Sequence, residues 1–175
     1  MKKTVLPILL FVLIAFCSNS RLNAQAQASV TARASAEIIT SISALEGAIL
    51  NFGRFSPEEE GGEVVVSPDG ARHSSGTVVL SGGLYNQAIF YITGQPEYNV
   101  AISLPTMPTM LTNLVNGKTM QIHKWTSSPS LESDITLPTN GALNLNMGAT
   151  LKVGGLNDNP VGIYSGTYII TFSYN

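Results

Sequence analysis

Few residues in this chain have the type and spacing that chemistry needs. His73 follows Arg72 and is flanked by Ser74 and Ser75. With Asp69 or Asp134 it could complete a Ser-His-Asp relay, in which the imidazole takes the serine proton and the carboxylate fixes the ring. No G-x-S-x-G elbow presents a nucleophile, so the sequence predicts a turn histidine. His123 alternates with Gln121 and Trp125, opposite Met120 and Ile122, which predicts a half-exposed strand position. Glu58, Glu59, Glu60 and Glu63 form the densest charge, but consecutive glutamates do not space oxygens around a calcium ion. Asn157-Asp158-Asn159-Pro160 has the composition of Asx turns. Glu132 and Asp134 lie near Trp125 in sequence, yet sugar hydrolysis needs two carboxyls set across a cleft. The expectation is a protein that is not an enzyme and uses no cofactor or metal.

The only thiol, Cys17, lies in a segment read as an export signal. Lys2 and Lys3 give the charged start, Val5 to Phe16 the apolar stretch, and Ala24-Gln25-Ala26 the small-x-small cleavage pattern, with cutting after Ala26 (or, as the alternative, Ala28). Twelve apolar residues fall short of the ~20 that span a bilayer as a helix. Phe16 ahead of Cys17 argues against a lipidated cysteine, so the processed chain is expected to lack thiols and disulfides. Residues 1–26 are thus expected as signal peptide. The product is expected in the periplasm, at the cell surface or outside the cell, with no membrane span.

Removing 26 residues from 175 leaves 149, enough for one domain with a core. Six Lys/Arg against eleven Asp/Glu give this part a net charge of −5. Without a basic cluster it is a poor nucleic-acid partner. Serine and threonine number 33 and glycine 16, a profile that suits a turn-rich β-protein.

Period-two alternation dominates the pattern. It runs through Ala28, Val30, Ala32, Ala34, Ala36, Ile38, Thr40, Ile42 and Ala44. Short strands are expected at Ile49–Phe52, at Glu63–Val66 and at Thr77–Leu80, the last two joined by a Pro68-Asp69-Gly70 turn. Ala88–Ile92 and Tyr98–Leu104 read as a hairpin about Gly94-Gln95-Pro96. Met120–Trp125 and Leu143–Val153 follow, with 105–117 the least regular part. A last strand puts Tyr164, Gly166, Tyr168, Ile170, Phe172 and Tyr174 on one face. Turn signals about every 8–12 residues, with no helical stretch after the signal, predict an all-β fold. The expected architecture is an immunoglobulin-like β-sandwich of about seven to nine mostly antiparallel strands.

The first run is too long for its domain. Seventeen extended residues cover roughly 56 Å, against a diameter of roughly 38 Å for a compact domain of this size. Either the strand bends between sheets or its first half leaves the domain. Burying Val30, Ile38 and the three alanines is worth about 5–6 kcal/mol, which ordering nine residues offsets. Such a segment settles only in a prepared groove with unpaired strand edges. Residues 27–36 are therefore expected to be a donor-strand-like extension, and 37–175 the sandwich.

Both ends resemble chaperone–usher pilins, immunoglobulin-like sandwiches that lend an alternating N-terminal strand to a neighbour. Their last strand carries a tyrosine next to last and a glycine fourteen places from the end; here these are Tyr174 and Gly162. Unlike many pilins, the chain lacks a cysteine pair. More of it, roughly residues 30–175, resembles the bacterial family named domain of unknown function 4402. The resemblance is carried by Leu50-Asn51-Phe52-Gly53, Pro68-Asp69-Gly70-Ala71-Arg72, Ala88-Ile89-Phe90-Tyr91-Ile92-Thr93-Gly94, Met147-Gly148-Ala149-Thr150-Leu151 and Gly162-Ile163-Tyr164-Ser165-Gly166-Thr167-Tyr168. It implies an exported β-sandwich and assigns no catalytic residue.

The leading expectation is a non-enzymatic structural or surface protein, pilin-like, that self-associates or joins related subunits by strand exchange, with a periplasmic chaperone as a further partner. Its donor residues would be Val30, Ala32, Ala34, Ala36 and Ile38. Its acceptor edge would carry Gly162, Tyr164, Tyr168, Ile170, Phe172 and Tyr174. The alternative is a self-complemented secreted binding module, for carbohydrate or protein, whose extension folds back on its own last strand. A small outer-membrane barrel ranks third, since its strands need about 9–11 residues.

Overall fold

A computed structural model describes residues 27–175; the expected signal peptide, Cys17 and the cleavage position Ala26 lie outside the described residues. Residues Ile38–Asn175 form one compact unit. It is all-β and antiparallel, with its sheets curled into a half-barrel. No helix among the described residues is long and apolar enough to cross a membrane.

The strands are β1 (Ser43–Ala48), β2 (Arg54–Val66), β3 (Arg72–Ser81), β4 (Ala88–Thr93), β5 (Asn99–Ser103), β6 (Thr109–Asn113), β7 (Thr119–Ser128), β8 (Ile135–Thr136), β9 (Ala142–Val153), β10 (Tyr164–Ser165) and β11 (Thr171–Tyr174). The larger sheet runs β1-β4-β9-β7-β6-β10, with the β2–β3 hairpin attached to β9. The smaller runs β11-β5-β8. β9 is the hub: its first half pairs with β4 and its second half with β2, while β7 follows its other edge. The sequence at its centre, Leu145-Asn146-Met147-Gly148-Ala149-Thr150-Leu151, suits a strand covered on both faces, and Met147 to Leu151 are all buried.

Two apolar clusters result. One gathers Val64, Val66, Met120, Ile122, Leu151 and Val153; the other gathers Phe90, Ile92, Val100, Leu137, Leu145 and Met147. Leu50 and Trp125 pack against both. Fully burying one such side chain is worth about 1.5–3 kcal/mol, so a fold without disulfides among the described residues stands on packing.

Residues 27–42 enter no ladder among the described residues, and β1 begins only at Ser43. Several expectations need correction. Ile49–Phe52 is not a strand. Asn86 holds that stretch by a bridge with Asn51 and a side-chain bond to the Ile49 carbonyl. β4 and β5 are not hairpin partners. β4 pairs with β1 and β9, β5 with β11 and β8. The connection between them bonds elsewhere: Gly94 N–H donates to Gly141 O (2.9 Å), and Glu97 N–H to Leu137 O (3.0 Å). Those bonds carry the chain from one sheet to the other. Last, a bulge between Ile122 and Lys124 reverses the parity of β7. Trp125 therefore turns inward, away from the face of His123.

The β2–β3 turn is as read. Ser67 N–H donates to Ala71 O, Asp69 Oδ1 accepts from Ala71 N–H, and Gly70 takes φ 84°. Arg72 then reaches back, its guanidinium donating to the carbonyls of Phe52 (2.9 Å), Arg54 (3.3 Å) and Ser81 (3.4 Å) while stacking on Tyr85.

Candidate functional site

His73 is exposed on β3, opposite Val65. Asp69 is engaged by the Ala71 N–H, and Asp134 accepts from the Asn175 side chain. His123 Nε2 lies 3.3 Å from Glu63 Oε1, a half-exposed pair between β7 and β2, the strands on either side of β9, that the sequence did not announce; such a pair is worth about 1 kcal/mol at most. No group of three His, Cys, Asp or Glu suited to a metal occurs among the described residues. Asn159 is a loop lock. Its Oδ1 accepts from Gly154 N–H (2.6 Å) and its Nδ2 donates to Thr119 O (2.8 Å).

The distinctive feature is a groove of about 1250 Å³ in the Ile38–Asn175 unit. One wall is Ala44 and Glu46 of β1 with the stretch Ile49 to Pro57. The other is the C-terminal segment from Pro160 to Ile170, with Phe172. Phe90, Leu111, Met120, Ile122 and Leu151 from the large sheet form its floor. β1 pairs only with β4, and β11 only with β5, so one edge of each strand is unpaired among the described residues. Unpaired edges beside apolar surface are the template on which an extra strand adds.

The C-terminal wall departs from the single strand expected. β10 pairs with β6 in the large sheet, residues 166–170 enter no ladder, and β11 pairs with β5 in the small sheet. Its alternation holds across the break: Tyr164, Tyr168, Ile170, Phe172 and Tyr174 are half-buried, and their neighbours are exposed. The aromatics turn inward, each to its own partner. Tyr168 packs on Trp125 (centroids 4.7 Å), Phe172 on Phe90 (6.3 Å) and Tyr174 on Tyr98 (5.9 Å). The glycines have a steric cause. A Cβ on Gly162 would run into the Asn113 amide, and one on Gly166 into the Met110 carbonyl, so both let the segment lie close against β6.

Among the described residues, Tyr168 carries the one strongly perturbed proton. Burial, reinforced by the Glu46 carboxylate, pushes its hydroxyl up to about 12. That oxygen is buried and has no hydrogen-bond partner among the described residues.

Of the proposed donor residues, Val30 is 91% and Ile38 99% exposed, and Ala32, Ala34 and Ala36 are exposed as well. Sequence reasoning missed the groove's other wall, Glu46 and Leu50–Pro57, because nothing in a periodic pattern tells which edges stay unpaired. It also missed the fixing of Thr40. The Thr40 N–H donates to Gln95 Oε1 (3.0 Å), and the Thr40 carbonyl accepts from Tyr174 Oη (2.8 Å).

Residues 39–174 match the model of the family described as Domain of unknown function (DUF4402). The chain belongs to that family. No curated protein matches the chain.

Proposed function

We propose that this chain is an exported, non-enzymatic structural or surface protein, a pilin-like subunit that assembles or docks by β-strand addition. One observation carries the reading: an apolar groove is lined by β1 and, with Phe172 of β11, by the C-terminal segment, each of these strands has one unpaired edge among the described residues, and the described part of the alternating extension enters no ladder. The lengths agree. Val30 to Ile38 extends about 30 Å, and the wall from Val161 to Phe172 about 40 Å at most. A strand laid there would gain main-chain bonds on both sides and bury its small side chains over the floor. Charge is sparse along the groove, which suits an apolar occupant. On this reading the fold is an immunoglobulin-like sandwich short of one strand, its last strand passing between the two sheets. A periplasmic chaperone would offer its own strand to the same edges before assembly.

The test is a titration of the purified exported protein with a labelled peptide of residues 28–38, followed by anisotropy and by Trp125 fluorescence. The peptide is expected to bind, and an Ala34→Arg peptide to bind at least about tenfold more weakly, since a buried charge is costly. Equal binding of both peptides, or of neither, refutes the reading.

A further inference from the structure

The hairpin of β6 and β7 ends on residues that a turn does not call for. Turns between antiparallel strands favour Gly, Asn, Asp and Ser, and Asn116-Gly117 supplies two of these, with Gly117 at φ 72°. Leu114 and Val115 precede them at the apex, 85% and 95% exposed, and belong to neither core cluster. A second aliphatic pair lies beside the first. Ser165 pairs with Thr112 and Tyr164 with Asn113, so the antiparallel register brings Ile163 up to Leu114, with Val161 two residues further on. Val161 and Ile163 are just as exposed. From this juxtaposition we infer that the apex is a membrane-docking tip, seated in the headgroup region of a bilayer that contains anionic phospholipid, without spanning it. The tip acts whether or not a strand fills the groove, whose wall contributes only Val161 and Ile163 to it.

The charge pattern selects that surface. None of the eleven Asp and Glu falls within residues 98–131 or 159–175, the two stretches that build the tip. Lys118 stands exposed at the foot of the turn. Asp158, just ahead of the second stretch, shares a shallow hollow with both Lys118 and Lys152, so lysine is in excess there. An apolar apex flanked by lysine and free of carboxylate side chains complements an anionic headgroup layer, where each lysine near the surface adds to the attraction.

The backbone is prepared for the same medium. Asn113, almost wholly buried, ties off the turn: its Oδ1 accepts from Val115 N–H (3.0 Å), its carbonyl accepts from Gly117 N–H (2.8 Å), and its own N–H donates to Lys118 O (2.8 Å). Asn116 Oδ1 accepts from Lys118 N–H (3.0 Å). These amides need no water, so moving the turn into a headgroup layer does not leave them unbonded. Shape favours lipid over a rigid protein as well. A projecting apex demands a matching pocket of a protein partner, whereas a fluid bilayer conforms to it.

The experiment mixes the exported full chain with vesicles of phosphatidylcholine, alone or with phosphatidylglycerol, and reads the bound fraction by flotation. Binding is expected on both, and to be tighter where phosphatidylglycerol is present. Leu114→Ser with Val115→Ser should weaken it at least about tenfold on either vesicle, with an unchanged melting temperature because neither side chain is packed. Lys118→Gln should weaken it about fivefold on the phosphatidylglycerol vesicles only. Leu84→Ser, at an equally exposed leucine between β3 and β4, should change nothing.

Failure of the parent chain to float with phosphatidylglycerol vesicles overturns the tip. So does a loss on Leu84→Ser equal to that of the double serine variant, which would mark general stickiness of exposed aliphatics. Dimers that dissociate in the double serine variant, without flotation of the parent, overturn the bilayer in favour of a second copy. Binding of the 28–38 peptide to the double serine variant keeps strand addition standing whatever the vesicles show.

Discussion

Replacing Tyr168 by phenylalanine should make the protein more stable. The ring and its contact with Trp125, at 4.7 Å between centroids and 46° between planes, are kept. What leaves is one buried oxygen without a partner among the described residues. A buried polar group left unbonded costs about 1–3 kcal/mol. Because the residue as a whole is only half-buried, the low end applies, and Tyr168→Phe is expected to gain about 1 kcal/mol. In a unit of this size that raises the melting temperature by roughly 3–5 °C. Tyr168→Ala removes the stacked ring as well and should cost about 2–3 kcal/mol. Urea denaturation read by Trp125, the single tryptophan, measures both against the parent chain. A Tyr168→Phe protein less stable than the parent by 1 kcal/mol or more would show that the hydroxyl has a partner in solution. The account of this part of the groove would then be wrong.

The same group predicts an alkaline limit. The folded hydroxyl ionises only near about 12, while an unfolded tyrosine does so near about 10. Stability is therefore full below pH about 10 and falls as pH rises towards about 12, a loss that Tyr168→Phe should reduce in denaturation curves taken across that window. Gly162→Ala drives a Cβ into the Asn113 amide, on a side chain only 1% exposed, and should cost about 1–3 kcal/mol by thermal melting. Arg72→Met removes the donors to the Phe52, Arg54 and Ser81 carbonyls and should cost about 2 kcal/mol, measured by urea denaturation. His73→Ala, on an exposed strand face, should leave the midpoint within about 0.5 kcal/mol of the parent.

Much of the fold can be read from alternation, because period two reports which face of a strand meets the core. Tyr164 to Tyr174 keeps its inward parity through a break in pairing, and Pro68-Asp69-Gly70 turns the chain where its residue types require. Alternation does not report partners. β4 and β5 look like a hairpin because their faces alternate around a Gly-Gln-Pro turn, yet Leu137 and Gly141 take the bonds that a hairpin would have used. A bulge is equally silent: one extra residue near His123 moved Trp125 to the other face. Half of the groove was legible, as the apolar C-terminal stripe. Its opposite wall was not, since Glu46 and Leu50–Pro57 are brought there by the pairing of β1 with β4 and by Asn86. The hydrogen bonds that fix Thr40 to Tyr174 and to Gln95 span 134 and 55 residues, and no local pattern encodes them.

The bonds on Thr40 also bear on how the protein carries load. β1 alone is held by a single ladder to β4, and a tug on the preceding residues would strip such a ladder rung by rung. Thr40 stands ahead of the first rung. Through Tyr174 it is bound to the small sheet, and through Gln95 to the link between the sheets. Tension on the extension is thus divided between both layers before β1 feels it. Single-molecule pulling should find rupture forces set by these two bonds rather than by the six-residue strand behind them.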